Sequence, residues 1–219
     1  MNPMNHRSMK TGTKKAIRIM LVDDHHVVRI GLGSSLGLES DMEIVAEAEN
    51  ISQLLTLYDA HRPDLVVLDW RLPDGTGSDA IRQLKQLHAN AKILMISAFD
   101  GEEMIFQAIQ SGALGFIAKS SRRSEIIDAV RKASAGECAF SPEIAHKLAS
   151  RIQRPELSAR EIQIIEQLVL GNSNKEIASN LDISGNTVKA HLMHIMQKLH
   201  AKDRTHVASI ALQRGIVDY

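Results

Sequence analysis

Leu65-Val66-Val67-Leu68-Asp69-Trp70-Arg71-Leu72-Pro73-Asp74-Gly75 decides the fold. Four apolar residues in a row, introduced by Arg62-Pro63-Asp64 and ended by a carboxylate, read as a short strand covered on both faces, because a strand with one wet face would alternate. Further apolar runs lie at 17–22, 42–48, 93–96 and 114–118. Between them, segments 27–38, 52–60, 78–88, 102–110 and 124–135 place apolar residues three and four apart, the period of a helix with one buried face. This is a βα unit repeated five times, which predicts an α/β fold with a doubly wound five-stranded parallel sheet and helices on both faces. Asp100 is expected to cap the helix containing Glu103, and Gly136 to stop the fifth helix.

After Gly136 the strand signals cease. Ser141-Pro142-Glu143 reads as a cap with proline at the first helical position, so 142–151 is expected to be a linker helix ending before Arg154-Pro155. Two capping boxes follow, Ser158 to Glu161 and Ser173 to Glu176, then a cap at Ser184, and a last helix is expected to start at Asp203. They predict an all-α unit of four helices after residue 156. The expected division is a polar, disordered leader at 1–14, an α/β domain at 15–137, a linker with a helix at 138–155 and a helical domain at 156–219.

Composition excludes several classes. Hydrophobic residues make up 44% of the 219-residue chain and charged ones 24%, enough apolar matter for packed cores and unlike a disordered chain. Cys138 is the one cysteine, so neither an internal disulfide nor a multi-cysteine metal site is available. No segment approaches the roughly 20 apolar residues of a membrane span, and the basic start lacks a signal peptide's apolar run. A cytoplasmic protein with no membrane partner is expected. Residues 1–150 carry 17 basic and 19 acidic side chains against nine and seven in the rest, an asymmetry too small to argue for nucleic acid alone.

In a doubly wound sheet, chemistry gathers beyond the carboxyl ends of the strands. Asp23 and Asp24 follow the first strand and Asp69 the third. Asp24 alone could equally cap a helix, but three carboxylates on one edge repel unless a cation sits among them, and an all-oxygen set suits Mg2+. Ser97 ends the fourth strand and Lys119 the fifth, so a hydroxyl and an ammonium face the same cluster. That pairing suggests a phosphoryl group. Asp69 could be the nucleophile of an aspartyl-phosphate hydrolase or the acceptor of a switch. Hydrolases of the haloacid dehalogenase type carry a second Asp two positions later, where this chain has Arg71, which favours the switch. Trp70, the one tryptophan, is expected to be a packing residue.

Asp23-Asp24, Leu68-Asp69 with Leu72-Pro73-Asp74-Gly75 behind it, Ser97-Ala98, and Gly112-Ala113-Leu114-Gly115-Phe116 leading to Lys119 resemble the receiver domain of bacterial two-component response regulators, a flavodoxin-like fold. The resemblance implies that Asp69 accepts a phosphoryl group from a sensor histidine kinase. It implies Mg2+ held by Asp24, Asp69 and the backbone carbonyl of Arg71, with Asp23 acting through water. Lys119 would pair with the phosphate, while Ser97 would turn toward it and let Phe116 move inward; Ala98 would leave the phosphate reachable. Two positions depart from the pattern: Ser120 stands where many receivers have a cis proline, and Phe116 replaces the commoner tyrosine.

In the tail, Val188, Leu192, Ile195 and Leu199 form an apolar stripe, opposite Asn186, Lys189, Ala190 and Met193. Leu157-Ser158-Ala159-Arg160-Glu161, Gly171-Asn172-Ser173-Asn174-Lys175-Glu176-Ile177-Ala178, Thr187-Val188-Lys189-Ala190-His191 and Lys198-Leu199 resemble the LuxR-type helix-turn-helix. Receiver and tail together are similar to the NarL/FixJ group of response regulators. By that resemblance Lys189, Ala190 and Met193 approach base edges of promoter DNA, Asn186 lies on the same face, and Ser184, Thr187 and Lys198 contact phosphates. Met193 is a departure, able to read only a thymine methyl. His191 and His194, three apart without a third ligand, are read as ordinary histidines. The last helix would form a homodimer when Asp69 is phosphorylated, and the unphosphorylated receiver would either mask the recognition helix or disfavour the dimer. An adaptor whose receiver signals to protein partners, its tail being degenerate, is the alternative from another class.

Overall fold

The computed structural model describes residues 15–98, 101–152 and 154–217; the leader at 1–14 and the expected cap at Asp100 lie outside them. In chain order the first domain runs β1 (Ile17–Val22), α1 (His26–Gly37), β2 (Met42–Ala48), α2 (Ile51–His61), β3 (Leu65–Asp69), a small hairpin of β4 (Arg71–Leu72) and β5 (Gly75–Thr76), α3 (Gly77–Leu87), β6 (Ile93–Ser97), α4 (Glu102–Gln110), β7 (Gly115–Ala118) and α5 (Arg123–Ala135). Then come β8 (Ala139–Phe140), α6 (Pro142–Ile152), α7 (Ala159–Val169), α8 (Asn174–Asn180), α9 (Gly185–Leu199) and α10 (Arg204–Arg214).

The main sheet is parallel, in the order β2-β1-β3-β6-β7-β8. Its strands are apolar throughout because each serves two cores. Along β1, Met20 and Val22 face one core with Leu54, Ile81, Leu84 and Ile105 from α2, α3 and α4. Ile19 and Leu21 face the other, with Leu36 of α1 and Ile127 and Val130 of α5. The side-chain period of two thus builds both layers from one strand.

The sheet has six strands rather than the five expected. Ala139 and Phe140 pair with Gly115 and Phe116, a strand of two residues hidden in what reads as linker. Two residues are too few for periodicity to register. The pairing depends on Gly115, where a Cβ would lie 2.3 Å from the carbonyl oxygen of Ala139. The helix ends follow their sequence signals more closely. Gly136, at φ 85°, closes α5 in the left-handed region that glycine enters without strain. Ser158, Ser173, Ser184 and Asp203 each accept a backbone N–H in the first turn of the helix they precede.

α7 to α10 surround a separate core of Ile164, Ile165, Leu168, Ile177, Val188, Leu192, Ile195, Leu199, Val207 and Ile210. Between the domains, α6 packs along α4. Arg151 ion-pairs with Glu103 and lies over the Phe106 ring at 4.5 Å, and Arg154 ion-pairs with Glu102. The end of α10 reaches the start of α4, where a Cβ on Gly101 would meet the Arg214 carbonyl oxygen at 2.6 Å.

Candidate functional site

The strand order reverses between β1 and β3: the chain builds outward from β1 to β2, then returns to the other side. A crevice opens beyond the carboxyl ends of such a pair, and the sequence puts its acids there. Asp23 and Asp69 are both buried, Asp24 exposed. Ligand atoms of Asp23, Asp24, His25 and Asp69 all lie within 4.8 Å of one another. Asp24 caps nothing: α1 starts after His25 without a side-chain cap, and it is Asp23 Oδ1 that accepts the His25 N–H at 2.9 Å.

Lys119 reaches the cluster from the end of β7, placed by its own N–H, which donates to the Ser97 carbonyl oxygen at 2.7 Å. Its Nζ stands 2.6 Å from Asp23 Oδ2 and 2.9 Å from Asp69 Oδ2. The other Asp69 oxygen accepts the Trp70 N–H at 2.8 Å. Burial pushes the Asp69 carboxyl above the usual carboxylate range; Lys119 pulls the other way without cancelling it. For Lys119, burial disfavours the ammonium but is outweighed by the Asp23 and Asp69 carboxylates, which leave it above its ordinary value.

The loop behind Asp69 is anchored at several points. Gly77 donates its N–H to the Trp70 carbonyl at 2.6 Å, and a Cβ there would press on the Met95 methyl at 2.5 Å and on the Asp69 carbonyl oxygen at 3.1 Å. Asp74 accepts the N–H groups of Ile51 and Ser52 at 2.9 and 3.1 Å, tying the turn to the start of α2. Arg71 opens β4, two residues past Asp69. Ser97 is buried at the end of β6 and Ala98 beside it is exposed. Phe116 is 1% exposed and packs in the core shared with α4, so its ring already points inward. Trp70 is likewise a core residue. No cis peptide bond occurs among the described residues, Lys119-Ser120 included.

These residues fit a hard divalent cation. Asp23 Oδ2 is buried without a hydrogen bond, held only by the charge of Lys119, and the remaining donors are mostly carboxylate oxygens. Two neighbours escape a reading by motif. His25 sits with its Nδ1 2.6 Å from Asp24 Oδ1, signalled only by adjacency. Arg29 lies under the Asp23-Asp24 turn, with no signal beyond being a charge on the buried face of α1.

At the other end of the chain, α9 buries Val188, Leu192, Ile195 and Leu199 and exposes Gly185, Asn186, Thr187, Lys189, Ala190 and Met193, the last 53% exposed. Ser184 Oγ accepts the Thr187 N–H at 3.0 Å. This face is open to solvent, and the receiver touches α10. Lys198 stands apart from the other expected DNA contacts. Its Nζ is bonded to Glu161 Oε2 at 2.7 Å and to the Glu156 carbonyl at 2.9 Å.

A doubly wound domain with an acid-lysine cluster at its switch point, joined to a helix-turn-helix with a free recognition face, defines a phosphorylation-linked DNA-binding regulator. Comparison with known proteins agrees. Residues 19–131 match the response regulator receiver domain, and residues 155–211 match bacterial regulatory proteins of the luxR family. The response regulator protein VraR of Staphylococcus aureus is 34% identical over 206 residues, spanning 92% of this chain and 99% of VraR. The crystal structure of the response regulator ChrA of a heme-sensing two-component system is 37% identical, with a TM-score of 0.56, over 92% of this chain and 99% of that one. RcsB from Salmonella enterica serovar Typhimurium, bound to a promoter, shares the fold at a TM-score of 0.71 and 18% identity, over 91% and 99% of the chains. The chain belongs to the two-component response regulators that couple a receiver to a LuxR-type helix-turn-helix, a family of transcription regulators rather than enzymes. No helix among the described residues is long and apolar enough to cross a membrane.

Proposed function

We propose that Asp69 is the phosphoacceptor through which a sensor histidine kinase controls promoter binding by this chain. The observation that carries the reading is the Lys119 ammonium within 2.9 Å of carboxylate oxygens of both Asp23 and Asp69 at the open end of the sheet. An Asp69 oxygen attacks the phosphorus of a phosphohistidine; the O–P bond forms as the N–P bond breaks, and the imidazole leaves. Asp23, Asp24, Asp69 and the Arg71 carbonyl would hold Mg2+, which neutralises charge on the transferring phosphoryl oxygens. Lys119 then follows the phosphate, and Ser97 donates its hydroxyl to it. Phe116 needs no inward move, since it is already buried.

Ser184, Asn186, Thr187, Lys189, Ala190 and Met193 form the surface offered to promoter DNA, with Lys189 as its one full positive charge. Lys198 serves that surface indirectly, by fixing α9 against Glu161. α10 pairs two copies when Asp69 is phosphorylated, in the cytoplasm. The domain limits are 15–137, 138–155 and 156–219, with β8 of the linker completing the receiver sheet.

The test is the intact mass of the full chain after incubation with Mg2+ and a small phosphodonor, with Asp69→Ala in parallel. One phosphoryl group on the wild type, none on the variant, and tighter DNA retention by the modified form are expected. No adduct, together with no response to beryllofluoride in Trp70 emission, would refute the phosphoacceptor reading.

A further inference from the structure

The turn that presents Asp23 and Asp24 is short, and α1 behind it begins with no side-chain hydrogen bond to its first turn. What fixes the turn is a side chain from inside the helix. Arg29 is 4% exposed and folds back beneath it. Its Nη1 donates to the Asp23 carbonyl oxygen at 2.6 Å, a bond shut off from water. Nη2 donates to Glu49 Oε1 at 2.5 Å and lies 3.4 Å from His26 Nδ1, and Nε donates to Glu47 Oε2 at 3.4 Å. Glu47 belongs to β2 and Glu49 follows it, so one guanidinium joins helix, neighbouring strand and acidic turn.

Burying an arginine is costly, and its two carboxylate partners do not demand it. Both glutamates are about half exposed, and an ion pair with them could form at the surface without desolvating the guanidinium. Only the bond to the Asp23 carbonyl needs the buried position. We propose that Arg29 is a positioning residue of the cation site, setting the peptide between Asp23 and Asp24 and thereby the aim of both carboxylates toward Asp69. The inference rests on reading those carboxylates as the Mg2+ site.

The experiment follows Mg2+ binding to the full chain by calorimetry and Trp70 emission for wild type, Arg29→Met, Arg29→Lys and Glu49→Gln. Thermal unfolding without cation and the rate of phosphorylation against Mg2+ concentration are read on the same samples. Residues that orient metal ligands change affinity by about 10- to 100-fold when removed, so Arg29→Met should need at least about tenfold more Mg2+ for half-saturation. Its phosphorylation rate should return toward wild type once Mg2+ saturates. Arg29→Lys, able to keep one bond, should recover part of the affinity, and it supplies the answer if Arg29→Met does not fold. Glu49→Gln, which leaves the carbonyl bond in place, should stay within about twofold. Lower thermal stability with unchanged Mg2+ affinity would overturn the inference in favour of packing. A Glu49→Gln defect equal to that of Arg29→Met would overturn it in favour of the strand pairing. A wild type with no saturable Mg2+ response would instead sink the underlying reading of the site.

Discussion

Replacing Lys119 by methionine tests the electrostatic construction of the site most directly. The substitution keeps an unbranched chain of similar length and removes only the ammonium. Asp23 and Asp69, with side chains 2% and 6% exposed, would then face each other without a cation. Stripping one partner from a buried ion pair costs about 3–5 kcal/mol, and the 16% exposure of the lysine at the mouth places this case near the lower end, about 3 kcal/mol. For a domain of this size that is a fall of roughly 10 °C in melting temperature. The sign with pH follows from Asp69. Its carboxyl is already raised by burial, so the folded state holds its proton more tightly than the unfolded chain does, and stability falls as pH rises between the two values. Without Lys119 the carboxyl rises further. The deficit against wild type should therefore be full at about pH 7 and shrink as pH falls below the ordinary aspartate value of about 3.9, where folded and unfolded chains alike take up the proton. Mg2+ should restore stability, by about 2.7 kcal/mol at a hundredfold excess over its dissociation constant, and should bind the variant more tightly because the competing ammonium is gone. Thermal melts followed by Trp70 emission at both pH values, with and without Mg2+, read all of this. A melting temperature within about 3 °C of wild type at neutral pH, or a deficit that neither acid nor Mg2+ reduces, would refute the placement of Lys119.

Lys198→Met leaves the buried Glu161 carboxylate without its cation, its Oε2 accepting only the Ser158 N–H, and should cost the helix-turn-helix domain about 3 kcal/mol while leaving the salt slope of DNA binding unchanged. Burial acts to raise the Glu161 carboxyl, but Lys198 and Ser158 outweigh it and hold it below the usual range. That stabilisation is present above the ordinary glutamate value and lost on acidification, so the variant and wild type should converge below about pH 4. Lys189→Ala should weaken binding at a selected promoter by about 1–3 kcal/mol and relax base preference at one position; loss of only a uniform, salt-dependent component would make it a phosphate contact instead. Reversing Glu102 and Glu103 together to lysine should free α6 from α4 and speed tryptic cleavage around Arg151 and Arg154 by about tenfold, a change of roughly 1.4 kcal/mol in local opening. Unchanged cleavage would show that apolar packing alone seats the linker.

The parts of this molecule that read from sequence are those with a repeating physical signature. Apolar strands covered on both sides, helix faces of period 3.6 and caps at Ser158, Ser173 and Ser184 each leave a pattern longer than one residue. Asp23, Asp69 and Lys119 were legible because strand ends locate them before any contact is known. β8 was not, since two residues carry no period and their pairing is decided by a glycine on another strand. Arg29 was not, because its partners are a backbone carbonyl and two acids on β2 and just beyond it, distances no local spacing encodes. For Lys198 the residue type was informative and its partner was not: a lysine at the end of a recognition helix suits a phosphate as well as it suits Glu161.

The contacts between the domains limit how a phosphoryl group on Asp69 can reach DNA. A modification shifts a conformational equilibrium only through elements whose contacts differ between the states. The recognition face of α9 is exposed and makes none of the contacts between the domains described above. α4 is in a different position. It begins four residues after the end of Ser97's neighbour Ala98, carries Glu102 and Glu103 paired to the linker, and meets the end of α10 at Gly101. Burial and the charge of Arg154 lower the Arg214 guanidinium from its ordinary value at this junction, with Glu102 acting the other way. Displacing the start of α4 would release the linker pairs and the α10 contact together. On the proposed reading of Asp69 as the phosphoacceptor, phosphorylation would act through the availability of α10, and DNA affinity should then follow the pairing of two chains.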